Sequence, residues 1–146
     1  MTLDWTQPGL YVPVGIGSFV FLHFVLSTLA GWSRLAHQFA AHNPPPGVEP
    51  LYHKWFVSGR LGWMTYDNAL RLSLYPDHLL LGVFFLFRLF HPPLLIPRKA
   101  LKECKAVKGW FGLHSFEFKV EGVRIVIAGS AGKELEEWAL RGEERA

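Results

Sequence analysis

The sequence predicts an N-terminal transmembrane α-helix joined to a small mainly-β domain, a curled antiparallel sheet or barrel closed by a C-terminal α-helix. Three observations carry that prediction. Val12 to Trp32 contains no Asp, Glu, Lys or Arg; after residue 51 the apolar residues switch to strict alternation; and the last seventeen residues return to a helical stripe. Half of the 146 residues are hydrophobic and only 18% are charged, against about 25% in a typical soluble domain.

The apolar stretch "VPVGIGSFVFLHFVLSTLAGW" is 21 residues, roughly 31 Å as a helix and close to the ~30 Å hydrocarbon core of a bilayer. Trp5 and Tyr11 flank one end and Trp32 the other, where interfacial aromatics belong. His23 is its single ionisable residue and is expected to face inward or toward a partner helix. A cleaved signal peptide is disfavoured, because the preceding residues carry Asp4 and no Lys or Arg. A buried soluble helix is the remaining alternative. Basic residues follow the stretch and none precedes it, which places the C-terminal domain in the cytoplasm of a single-pass cell-membrane protein.

Leu35, Ala36, Phe39 and Ala40 continue the helical spacing in "SRLAHQFAAHN", an amphipathic extension that "NPPPGVEP" must end. The chain therefore divides into a short tail (1–11), a transmembrane helix with its extension (12–42), a Pro-rich linker (43–50) and the β domain (51–146).

Within that domain Leu70, Leu72 and Leu74 alternate with polar or amphipathic neighbours, the pattern of a half-buried strand. Pro76-Asp77 is turn chemistry, and His78 to Phe87 returns as a strand apolar on both faces. "RLFHPP" reads as a rigid loop and "LLIP" as the next strand, since Pro92 and Pro93 forbid a helix or central strand across the junction. The apolar excess of this region implies either a strand covered on both sides or a loop whose Leu89 and Phe90 touch lipid. Phe116, Phe118 and Val120 share one face, Glu121-Gly122 makes a tight turn, and Val123, Ile125 and Ile127 answer them: a β-hairpin. Leu135, Trp138 and Ala139 form the stripe of the closing helix, with Ser130 as expected N-cap and Gly142 as expected stop.

"GWSRLAHQFA" and "YDNALRLSLYPDHLLLGVFFLFRLFHPPLLIPRKAL" resemble a group of small bacterial single-pass membrane proteins. Those share a Gly-Trp-x-x-Leu-Ala helix end, a Tyr-x-x-x-Leu and a Phe-Arg-x-x-His-Pro-Pro-Leu-Leu-Ile-Pro run. The likeness covers residues 31 to about 101; Arg98 stands where the group's pattern has a tryptophan. The resemblance implies no activity. The strand order with a closing helix is also similar to pleckstrin-homology (PH) and GRAM-like domains, which implies lipid or peptide binding at the level of fold.

The strongest electrostatic feature is "RKALKECKAVKG": Arg98, Lys99, Lys102, Lys105 and Lys108 outweigh Glu103. Near a cytoplasmic leaflet such residues contribute about 1 kcal/mol each toward anionic lipid; as ordinary strand residues they would simply be solvated. Trp110, from "GWFG", stands beside the lysines. Arg88 and His91, in the Pro-stiffened loop, are a second candidate, either for ligand contact or for fixing the turn. Catalytic signatures are lacking. His37 and His42 do not share a helix face, Cys104 is the single cysteine, and "GSAGK" lacks the length of a phosphate loop. No metal, cofactor or nucleic acid is expected. The expected function is non-catalytic, membrane-tethered binding or scaffolding, with the basic face toward anionic lipid headgroups or an acidic protein. The alternative is an accessory subunit of a membrane complex assembled through the apolar helix.

Overall fold

The computed structural model describes residues 8–29, 31–41, 43–88, 90–109 and 112–145. Seven strands form one antiparallel sheet: β1 (Tyr52–Leu61), β2 (Met64–Leu74), β3 (His78–Val83), β4 (Leu94–Pro97), β5 (Lys102–Lys108), β6 (His114–Val120) and β7 (Val123–Ala128). Their spatial order is β4-β3-β2-β1-β7-β6-β5, so two meanders are joined where β1 pairs with β7 and the sheet curls into a half-barrel. Among the described residues, three α-helices accompany it: α1 (Pro8–Leu29), α2 (Trp32–Phe39) and α3 (Gly129–Glu143).

The alternation read from the sequence sets the interior. Leu70, Leu72 and Leu74 are buried, as are Phe116, Phe118, Val120, Ile125 and Ile127. The expected hairpin is present, with Val120 opposite Val123 across the Glu121-Gly122 turn. α3 lies across β6, β7, β1 and β2, burying Leu135, Trp138 and Ala139. The Trp138 indole N–H donates to the Tyr75 carbonyl at 2.6 Å, fixing α3 to the β2–β3 turn.

Several expectations are corrected. A helix forms over the apolar N-terminal stretch, yet among the described residues no helix is long and apolar enough to cross a membrane, so the transmembrane span is not borne out. α1 stops at Leu29, and Gly31 at φ 89° turns the chain into α2, a conformation that glycine alone adopts without strain. The C-terminal part of α1 is also engaged with the β domain. His23 is buried, stacked on Phe87 at 5.7 Å, with Nδ1 bonded to the Phe19 carbonyl. It faces inward, against the β3–β4 loop.

The extension beyond Gly31 is part of the core. Trp32 and Leu35 are both 0% exposed, and Ala40 bridges to Leu94 of β4. β3 ends at Val83 rather than Phe87, because β2 bends at Asn68 (φ 50°) and its last contact is Phe84 N–H to the Ala69 carbonyl. Phe85–Phe87 form a 3-10 turn instead. Ser130 lies inside the first turn of α3 and does not cap it; its hydroxyl accepts from Lys54 Nζ. Gly142 does not stop the helix, which runs to Glu143. The missing side chain at 142 instead makes room for Arg98.

Candidate functional site

The residues of the basic run are divided between two places. Arg98 opens a 3-10 turn, Arg98–Ala100, between β4 and β5. Its backbone N–H is held by the Asp77 carbonyl at 2.8 Å, and its guanidinium lies 4.2 Å from the Trp138 ring centroid. Burial lowers its pKa, with Asp77 and Arg145 acting in opposite senses after it. Arg98 and Lys99 line a cavity of about 550 Å³ together with Asp77, His78, Cys104 and Glu143. The two carboxylates give that cavity mixed charge. Cys104 is half-buried, and burial pushes its thiol up.

Lys102, Lys105 and Lys108 lie on β5, one edge of the sheet. Lysines on an edge strand keep it from pairing with other chains, and here they also join a wider basic face. Register places Lys102 opposite Lys119, and Lys105 opposite Glu117, which is itself opposite Val126 of β7 and so in line with Arg60 of β1. A bulge at Glu103 (φ 50°) sends Cys104 inward and returns Lys105 to the outer face. Lys102, Lys105, Lys119, Arg124 and Arg60 thus gather around Glu103 and Glu117 on that flank, while Lys108, opposite His114, ends β5 on the other face.

Glu117 organises the face. It is 5% exposed and accepts from Arg124 Nη2 at 2.6 Å, with Lys105 Nζ 3.4 Å from its other oxygen. The Arg124 hydrogen bond holds its carboxyl below the usual range, against the opposing effect of burial. Lys119 pairs with Glu103 at 2.5 Å. A groove of about 290 Å³ runs beside this network, with Arg60, Lys108, Ser115 and Arg124 among its walls. Alternation placed Glu117 on the polar face, but only the pairing of three strands shows it to be buried. Trp110 lies outside the described residues.

Arg88 and His91 share a turn, the His91 N–H donating to the Arg88 carbonyl at 3.0 Å, but one side chain is exposed and the other buried. His91 is buried; its Nε2 is 3.3 Å from the Tyr66 hydroxyl and its ring is 5.2 Å from Trp32. The Trp32 indole N–H donates to the Pro92 carbonyl at 2.9 Å. Trp32, Tyr66, His91 and Pro92 form one packed seam that ties α2 to β2 and the β3–β4 loop. A cavity of about 220 Å³ adjoins it, lined by His23, Met64, Asp67, Phe87 and His91 among others. Burial raises the Tyr66 pKa, so the phenol keeps its proton. Arg88 stays exposed, near Arg71 of β2, whose pKa it helps to lower. Among the described residues no group of three or more His, Cys, Asp or Glu is placed to hold a metal ion.

No family model matches the chain, and neither does any curated protein. Among solved structures the chain is similar to the "Vps36 N-terminal PH domain", with a TM-score of 0.53 and 11% identity over 70% of this chain and 84% of that one. At that identity the likeness is one of fold: the domain is a PH-like curled antiparallel sheet with a C-terminal helix.

Proposed function

We propose that this chain is a non-catalytic binding module working against a membrane, its basic face taking anionic lipid headgroups or an acidic protein. The observation that carries the reading is the outer flank of β5, β6, β7 and β1, where five cations gather around two carboxylates. The PH-like fold is compatible with lipid or protein binding, and α1 supplies an apolar element beside the domain. Each lysine that faces anionic lipid would contribute about 1 kcal/mol, and the flank can present several at once. Location at the cytoplasmic leaflet of the cell membrane is part of the same proposal, because anionic lipids concentrate there.

Co-sedimentation of the full chain with neutral and anionic liposomes, at low and physiological salt, tests it. The wild type should prefer anionic vesicles in a salt-sensitive way, and the double substitution Lys102→Glu, Lys105→Glu should remove that preference. Equal binding to both vesicle types, unchanged by charge reversal, would refute a lipid-reading basic face and leave a protein as its partner. Retained assembly with another membrane protein despite charge reversal would favour the accessory-subunit alternative.

A further inference from the structure

The β3–β4 connection carries an apolar surface that the core does not use. Phe85 is 64% exposed, and Phe87 and Phe90 are exposed beside it. These rings belong to two groups on one connection. Phe56 of β1, itself 58% exposed, meets Phe84 at 5.6 Å, and Phe84 meets Phe85 at 4.7 Å. Farther along the loop, Phe87 stacks on His23 and Phe90 packs edge-on against Phe24 at 5.4 Å. The first group stands on the sheet and the second reaches α1, where Ile16, Phe19, Phe21 and Leu22 are also exposed. Exposed rings grouped in this way differ from scattered surface hydrophobics and mark an interaction surface.

Its neighbours are cationic. The Arg71 guanidinium lies along Gly82 and 5.1 Å from the centroid of the half-exposed Trp55 ring. Arg88 is close enough for its charge to bear on Arg71. Among the described residues neither arginine forms an ion pair, and Arg71 Nε is closed off from solvent with no acceptor. A guanidinium closed off from solvent without a counter-charge, under the field of a second arginine, is stabilised by an anion.

We infer that this surface seats the domain on a phospholipid bilayer. Phe56, Phe84, Phe85 and Phe90 enter the interfacial zone alongside α1, and Arg71 and Arg88 take lipid phosphates. The inference rests on the membrane reading above and specifies the surface that makes the contact. A bilayer fits better than a protein groove because α1 carries no Asp, Glu, Lys or Arg and its apolar residues are not gathered into one stripe, whereas a groove would cover a single stripe. Arginine and tryptophan at the margin of an aromatic patch suit the headgroup level. β2 and β3 stand at the other end of the strand order from β5 and β6, so the lysine face occupies a different flank.

The test uses the full chain with Cys104→Ala and a polarity-sensitive dye at Phe85→Cys, compared with the dye at Lys133→Cys on α3. Vesicles are phosphatidylcholine with or without phosphatidylglycerol, and some carry tail-brominated lipid. The dye at position 85 should shift to the blue and be quenched by bromine, while the dye at 133 stays in water. Arg71→Gln and Arg88→Gln should each weaken binding to anionic vesicles by about fivefold and leave neutral vesicles unaffected. A water-like dye at 85 on a vesicle-bound chain overturns the inference and points to a protein as occupant. If Lys102→Glu, Lys105→Glu still removes anionic preference in that case, the general reading survives without this surface. A chain that stays off every vesicle overturns both.

Discussion

The Trp32 indole N–H donates to the carbonyl of Pro92, 60 residues away in sequence, at 2.9 Å. With the indole wholly buried, this bond closes a seam between α2 and the β3–β4 loop that also contains Tyr66 and His91. The Ala41 N–H to Pro93 carbonyl bond, at 2.9 Å, repeats the tie one step along.

Trp32→Ala should therefore cost about 3–5 kcal/mol, read as a lower urea midpoint of the full chain. Trp32→Phe should cost less, since it keeps most of the apolar contact but leaves the Pro92 carbonyl without its donor. For the same reason a fragment spanning 51–146, which lacks Trp32 and Leu35, should be far less stable than one spanning 31–146. Equal urea midpoints for the two fragments would show that α2 is dispensable.

Glu117 predicts a pH signature. Its folded pKa lies below the ordinary carboxylate value of 4.5, first because of the Arg124 hydrogen bond. A depressed folded pKa means that the stabilisation is complete above the unfolded value and is lost as pH falls through the folded one. Because Arg124 and Lys105 are both more than half exposed, Glu117→Gln should cost only about 1 kcal/mol at pH 7. That difference from wild type should shrink below pH 4.5 and vanish in stronger acid. Urea titrations of both proteins across pH 3 to 7 check the sign.

α3 rests on β7 with no room to spare. A Cβ at Gly132 would overlap the Ile127 carbonyl oxygen, a backbone atom that cannot rotate aside. Gly132→Ala should destabilise by roughly 1–3 kcal/mol despite the better helix propensity of alanine. A thermal melt that is unchanged or raised would mean that α3 can shift outward at little cost.

Cys104 should be a sluggish nucleophile. Its thiol is pushed up by burial and, secondarily, by Glu143, which lowers the thiolate fraction that reacts. Labelling with a disulfide reagent at pH 8 should run severalfold slower than for a free thiol and recover in urea. Glu143→Gln should speed labelling of the folded chain slightly.

Much of the β domain was legible residue by residue. Leu70, Leu72 and Leu74 marked β2; Phe116, Phe118 and Val120 with their partners across Glu121-Gly122 marked the β6–β7 hairpin; and Leu135, Trp138 and Ala139 marked the face of α3. The candidate site was legible only in part. The lysines of β5 were found by their clustering, but Arg60, Lys119 and Arg124 join them through cross-strand register. Arg71, which stacks near Trp55 and lies along Gly82, had no local signal. Ser130 and Gly142 show the opposite error, in which a residue suited to a helix end serves a tertiary contact.

The sequence by itself determined the strand and helix faces, the hairpin turn and the concentration of positive charge after Pro97. These depend on periods of about two or 3.6 residues and on turn chemistry, both of which act within a few positions. Tertiary structure alone decided that α2 belongs to the core, that Arg98 turns back onto Trp138 while Lys102 and Lys105 face outward, and that the Phe84–Phe90 loop meets α1. Each of those outcomes depends on which distant segments meet, and burial and electrostatics at such contacts are set by partners that no local pattern specifies.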